Sequence, residues 1–149
     1  LADEKQVKEW REKAEKGDAV AMYMLGGCYG RGSRGVAEDQ KQARVWFEKG
    51  AALREPRAMA NFASFLLDGL GGPAIPALGL VFITGAAGLG SEFAAFLLGE
   101  AHSKGKYGLP RDRTQALYWL NKVAKGKMRF KQLNQNGKTE VANLIQELG

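Results

Sequence analysis

GDAVAMYMLGGCYGRGSRGVAEDQKQARVWFEKGAA, residues 17–52, lies without a gap over GSEFAAFLLGEAHSKGKYGLPRDRTQALYWLNKVAK, residues 90–125. At this shift of 73 residues, twelve of the 36 positions are identical: Gly17 with Gly90, Ala21 with Ala94, Leu25 with Leu98, Gly26 with Gly99, Gly32 with Gly105, Gly35 with Gly108, Asp39 with Asp112, Gln42 with Gln115, Ala43 with Ala116, Trp46 with Trp119, Lys49 with Lys122 and Ala51 with Ala124. Chance does not readily give such a match, so the chain is read first as a repeat protein. The tryptophans set the period and are read as inward packing anchors of successive second helices. Trp10, Trp46 and Trp119 are each followed three residues later by a lysine (Lys13, Lys49, Lys122), and they stand 36 and 73 residues apart. The second gap is twice the first plus one, so one more unit lies between, with Ile83 where its tryptophan would stand. That middle copy is weaker: a shift of 37 matches Ala58 to Ala21, Met59 to Met22, Gly69 to Gly32 and Gly72 to Gly35.

Working outward, Asp3 to Lys16 reads as an exposed helix with Val7, Trp10 and Ala14 on one stripe, the second helix of a unit whose first is absent. Gly17 ends it. A helix from Ala19 to Tyr29 follows, its close-packing face marked by Ala21, Leu25 and Gly26, and then a loop in which Gly30, Gly32 and Gly35 supply positive φ. Asp39 is expected to cap the next helix, with Gln42 completing a variant capping box that Asp112 and Gln115 repeat. Pro56 suits a first helical turn, and its helix ends at Asp68-Gly69. From Gly69 to Ser91 there are 23 residues without a charge, long enough to span a bilayer. Seven glycines, Pro73, Pro76 and the repeat register argue instead for a buried central helix from about Pro76. After helices over Ser91–His102 and Arg113–Lys125, Met128, Phe130 and Leu133 are expected to fold back on the last helices. Asn136-Gly137 reads as a turn, and Thr139 to Leu148 as an amphipathic terminal cap.

Length and charge bound the function. A chain of 149 residues is one domain's worth and buries roughly two thirds of its unfolded surface. Cys28, the single cysteine, has no internal disulfide partner. No signal peptide is visible, and the opening at Leu1 without an initiator methionine is what a processed or excised segment is expected to show; the compartment is open, with the cytoplasm as default. Net charge is +6, and the stretch from Lys104 to Lys138 holds ten basic residues against Asp112 alone, so it carries +9 and leaves −3 for the rest. Such asymmetry points to an acidic partner surface.

The Leu-Gly pair, the glycine-rich loop leading to Asp, and the Ala-x-x-Trp helix in both copies closely resemble the Sel-one-like repeat, a relative of the tetratricopeptide repeat. The resemblance runs from about Asp3 to Lys125, and the middle unit departs from it at Phe62-Ala63, Pro76 and Ile83. It implies an all-α, right-handed α/α superhelix and a non-enzymatic interaction scaffold without cofactors. The expected layout is a single domain over residues 1–149: a half repeat at 3–16, units at about 17–52, 53–89 and 90–125, and a C-terminal cap at 126–149. In such repeats the first helix of each unit lines the concave face. The family's ligand-facing positions carried onto this chain are Val20, Tyr23, Gly27 and Arg31, then Arg57, Ser64 and Asp68, with Asn61 next to the strict register position Ala60, then Phe93, Phe96, Glu100 and Lys104. This aromatic and polar mixture suits a peptide or a protein helix. It lacks the several lysines and arginines of the carboxylate-clamp subgroup of the related repeats.

Two other readings compete. The basic C-terminal third, with Tyr107, Tyr118, Trp119 and Phe130 among its charges, is an alternative surface for nucleic acid or an anionic membrane. More distantly, VFITGAAGLG followed by a helix looks like the cofactor loop of a nicotinamide-dependent short-chain dehydrogenase, and Tyr118 and Lys122 imitate its Tyr-x-x-x-Lys pair. The 27 residues between Gly90 and Tyr118 are far too few for the intervening βα units of a doubly wound sheet. His102, the only histidine, and Cys28 have no visible partners for a metal or nucleophile site.

Overall fold

The computed structural model describes residues 2–149, and over these the chain forms eight helices: α1 (Ala2–Glu15), α2 (Ala19–Arg31), α3 (Gln40–Ala52), α4 (Pro56–Asp68), α5 (Pro76–Gly88), α6 (Glu92–Lys104), α7 (Arg113–Ala124) and α8 (Gln135–Leu148). The longest have 14 residues, a length at which a lone helix is marginal, so stability comes from packing between neighbours. α2 pairs with α3, α4 with α5 and α6 with α7, and each pair stacks on the next. α2 also touches α4, α4 touches α6 and α6 touches α8, whereas among the described residues α3, α5 and α7 have no comparable contact with one another. The even-numbered helices are therefore the inner layer, and the odd-numbered ones the outer layer, of an α/α solenoid.

Within each pair a missing side chain sets the distance. A Cβ added at Gly26 would lie 2.5 Å from Phe47 Cε1, and one at Gly99 2.7 Å from Leu120 Cγ, the same register position in the two similar copies. In the middle pair Ala63 replaces that glycine, and the small residue moves to the facing helix: a Cβ on Gly79 of α5 would meet Leu67 Cδ2 at 2.8 Å.

Helix ends repeat as closely. Asp18, Asp39, Ser91, Asp112 and Asn134 each accept the backbone N–H three residues on. The capping box at Asp39 and Asp112 is only half made, because their own N–H groups donate elsewhere, to the Tyr29 and His102 carbonyls, both at 2.9 Å. Those bonds tie each outer helix to the end of its inner one. Pro76 stands at this position in the middle unit and has no N–H, so Ile75 donates to the Leu66 carbonyl instead, at 2.8 Å. Gly32 and Gly35 take positive φ as expected, as do their equivalents Gly105 and Gly108, but Gly30 is helical. Arg34 and Tyr107, at equivalent loop positions, have φ of 56° and 59° despite their side chains.

Three further expectations are corrected. α5 is not a buried central helix but an outer one, with Val81 66% exposed, and none of the described helices is long and apolar enough to cross a membrane. Its Ile83 is fully buried, whereas Trp46 and Trp119 are only half-buried, with Lys49 Nζ 4.7 Å and Lys122 Nζ 5.4 Å from their ring centroids. At these two positions Trp-x-x-Lys is a cation–π pair at the rim of the core, and the isoleucine without that pairing sinks into it; in the first copy Lys13 pairs with Glu9 and Arg34 stands over Trp10 instead. Asn136-Gly137 is no turn, because both residues lie in the first turn of α8 under the Asn134 cap.

Residues 126–133 return to the start of α6 rather than lying only on the last helices. Phe130 donates its N–H to Gly90 O at 2.8 Å and accepts that of Glu92 at 3.0 Å, forming an isolated parallel bridge with Ser91. The Glu92 side chain, 1% exposed, accepts the N–H groups of Gln132 and Leu133 through Oε1 at 3.0 and 2.8 Å. Ser91 Oγ donates to Gln132 Oε1 at 2.5 Å. Met128 is buried beneath, and α8 then extends the inner layer and turns a polar face outward.

Gly26→Ala and Gly99→Ala should each lower unfolding free energy by about 1–3 kcal/mol, seen as a reduced urea midpoint at unchanged m-value. Replacing Glu92 by alanine strands two part-buried donors and should cost about 2–3 kcal/mol, with faster hydrogen exchange at the Gln132 and Leu133 amides. Glu92→Gln keeps an acceptor oxygen and should cost less.

Candidate functional site: an inner-face groove

The inner layer encloses a groove whose walls come from three successive helices and the returning segment. One half, about 180 Å³, is lined by Tyr23 and Arg31 of α2, Asn61 of α4, Phe93 of α6 and Gln132. The other, about 240 Å³, is lined by Gly27, Gly30, Arg31, Gln40, Phe47, Asn61, Phe65 and Leu70. Arg31 and Asn61 belong to both and form the waist between them. Helical spacing puts Tyr23, Gly27 and Arg31 on one stripe of α2 at intervals of four, so they reach the same surface.

Each side chain there has a local cause. Gly27 is buried and leaves the space that the Arg31 guanidinium covers; a Cβ on Gly27 would lie 2.9 Å from Arg31 Nη2. The apolar floor is an edge-to-face pair, Phe47 and Phe65, with ring centroids 5.4 Å apart. Gln40 is turned away from the groove chemistry, its Nε2 donating to Gly30 O at 3.0 Å and to Glu38 Oε1 at 2.9 Å.

Arg57 serves as a strut. Its Nε and Nη2 donate to the two oxygens of Glu55 at 3.0 and 3.1 Å, while Cζ stands 5.2 Å from the Tyr23 ring centroid and 4.9 Å from that of Phe130. Glu55 is itself buried and caps α4 by accepting the Arg57 N–H at 2.8 Å. The hydrogen bond that the guanidinium donates to Glu55 holds it above its ordinary pKa, against the opposing effect of burial. This guanidinium sandwich joins α2, α4 and the returning segment, and it aligns Tyr23 in the groove.

The remaining expected positions scatter. Phe96 is only 8% exposed and packs in the core, so its ring does not reach the groove surface. Val20 and Ser64 lie outside both halves, Val20 exposed and Ser64 half-buried. Asp68 accepts the Tyr107 hydroxyl at 3.2 Å, and burial together with the Asp68 charge raises the Tyr107 pKa. Glu100 is held by Lys104 at 3.5 Å and Lys106 at 3.2 Å. Burial pulls the Lys106 pKa down, but the Glu100 hydrogen bond and charge outweigh it and leave it raised. Gln132, Phe47, Phe65 and Leu70 were missed as groove residues. Gln132 lies in the segment where the repeat register fails, Phe47 and Phe65 look like ordinary core positions, and Leu70 stands in the loop after the Asp68-Gly69 helix end.

The competing sites resolve differently. VFITGAAGLG runs along α5 and into the turn after it, with no strand before it among the described residues, so the glycines do not form a strand-to-helix phosphate loop. Tyr118 and Lys122 are on α7, where the lysine sits over the tyrosine ring at 4.6 Å. Among the described residues no group of His, Cys, Asp and Glu could hold a metal ion; Cys28 is buried, and His102 is half-buried with an unpartnered Nδ1. The basic third is largely exposed, and a shallow cavity of about 270 Å³ on α7 gathers Leu117, Tyr118, Asn121, Lys122, Lys125 and Lys127.

Comparison with known proteins bears on the architecture. The family model of the Sel1 repeat matches twice, over residues 19–54 and 93–127. Over 59 residues the chain is 39% identical to the ERAD-associated E3 ubiquitin-protein ligase component HRD3A of Arabidopsis thaliana, covering 40% of this chain and 9% of that protein. A Sel1 repeat protein from Oxalobacter formigenes superposes with a TM-score of 0.73 at 25% identity, over 99% of this chain and 46% of its own. A protective antigen of uropathogenic Escherichia coli strains that displays an SLR fold superposes at 0.55 with 24% identity, over 95% of this chain and 40% of its own. The chain therefore spans less than half the length of each of these relatives.

Proposed function

Because the chain belongs to the Sel1 repeat family, whose members mediate protein–protein interaction, we propose that it is a scaffold module holding a peptide or a protein helix in its inner groove. One observation carries this reading: Tyr23, Asn61 and Phe93, from three successive inner helices, meet in a single groove. Aromatic and amide side chains on rigid helices give contact area at a small entropic cost. The charged end supports a second element of the reading. Exposed lysines and arginines between Lys104 and Lys138 would draw an acidic partner toward the groove and raise the association rate at low salt.

Direct binding of nucleic acid or an anionic membrane by the basic face is the alternative, and the cavity beside Tyr118, Lys122 and Lys125 favours it. Salt separates the two readings. Phosphate-backbone binding falls steeply between low and physiological salt, whereas a groove-bound peptide loses mainly association rate.

A pull-down with mass spectrometry, repeated at raised salt, identifies the partner. Tyr23→Ala, Asn61→Ala and Phe93→Ala should each weaken the purified partner's affinity by about tenfold while leaving the helical circular dichroism unchanged. Equal affinity in all three variants refutes the groove.

A further inference from the structure

The carboxylates along the inner face are already engaged: Glu55 by Arg57, Glu100 by Lys104 and Lys106, and Asp68 by the Tyr107 hydroxyl. Buried Glu92 accepts two backbone N–H groups. The cations of the same face divide differently. Arg57 pairs with Glu55, and Lys104 and Lys106 share Glu100, but Arg31 forms no ion pair or hydrogen bond with any described residue. Its guanidinium lies over Gly27 at the waist of the groove, open to solvent. Asn61 faces it across the waist and its amide likewise makes no hydrogen bond within the described chain. The groove therefore holds an uncompensated positive charge and an unused amide, both lining two adjoining cavities.

We propose that the groove accepts a peptide carboxylate on Arg31, with Asn61 hydrogen-bonding the peptide backbone beside it and an apolar side chain of the same peptide seated on Phe47, Phe65 and Leu70. A guanidinium matches a carboxylate in shape and charge and pairs with it through two N–H donors. The Asn61 amide offers both a donor and an acceptor, which suits a backbone amide. With Arg57, Lys104 and Lys106 committed elsewhere, the waist takes one carboxylate rather than an acidic run. The flanking Phe47–Phe65 floor asks for an apolar neighbour in the ligand. The proposal rests on the groove being the binding face and adds the chemistry that it selects.

The test is an immobilised library of random nonapeptides, with free and amidated C-termini, screened against the wild-type chain, Arg31→Gln, Asn61→Ala and Tyr23→Ala. Peptides retained by the wild type should be enriched in aspartate, glutamate or a free C-terminal carboxylate next to an apolar residue. For a retained peptide made singly, neutralising that carboxylate should weaken binding about tenfold in the wild type and less than about twofold in Arg31→Gln. Asn61→Ala should weaken the charged and neutral peptides alike. Retained peptides without acid enrichment, or an undiminished charge preference in Arg31→Gln, overturn the carboxylate assignment while the groove stands. Failure to retain any peptide, or retention indifferent to both Asn61→Ala and Tyr23→Ala, overturns the groove and this site with it. Arg31 is exposed at the end of α2, so circular dichroism of Arg31→Gln should match the wild type.

Discussion

Everything in this solenoid depends on how near the two helices of a pair can come. Gly26 against Phe47 and Gly99 against Leu120 put a backbone where a side chain would otherwise stand, and the space is filled by a large apolar group from the facing helix. Close packing of that kind is what short helices need, since none would persist alone. The middle pair reaches the same result by another route, with Gly79 on the outer helix in place of a glycine on the inner one. A glycine facing a large apolar side chain is kept although the residue that supplies the gap has changed sides.

With the pairs set, the groove follows from stacking them and closing the end. Inner helices approach one another more closely than outer ones, which brings residues from all three units to one surface. The returning segment then adds a wall by pairing Phe130 with the start of α6 and satisfying its backbone on the Glu92 carboxylate. Arg57 fastens that wall to α2 by stacking near both Tyr23 and Phe130. Structural charges are thus spent in building the site, and what is left over at its centre is Arg31 with Asn61.

Much of this was legible in the residues. The spacing of Trp46 and Trp119, the paired Asp caps and the Leu-Gly steps predict the helices and their order, because each answers to a local or nearest-neighbour requirement repeated at a fixed interval. Less legible was what each conserved-looking position would do. Phe96 satisfies the spacing of a groove residue yet is buried, because an inner helix in mid-stack is covered on more than one side. The tryptophans look like core anchors, but their size and a lysine three residues on keep them at the rim.

By itself the sequence determined the all-α repeat architecture, the caps, the divergent middle unit and the basic end, since periodicity and turn chemistry are properties of short stretches. Tertiary structure alone decided that the uncharged α5 lies outside, that residues 126–133 cross to Ser91 and Glu92, and that Arg57 is consumed while Arg31 is not. Those outcomes turn on pairings between residues as far as 73 positions apart, Arg57 with Phe130, which no local pattern encodes.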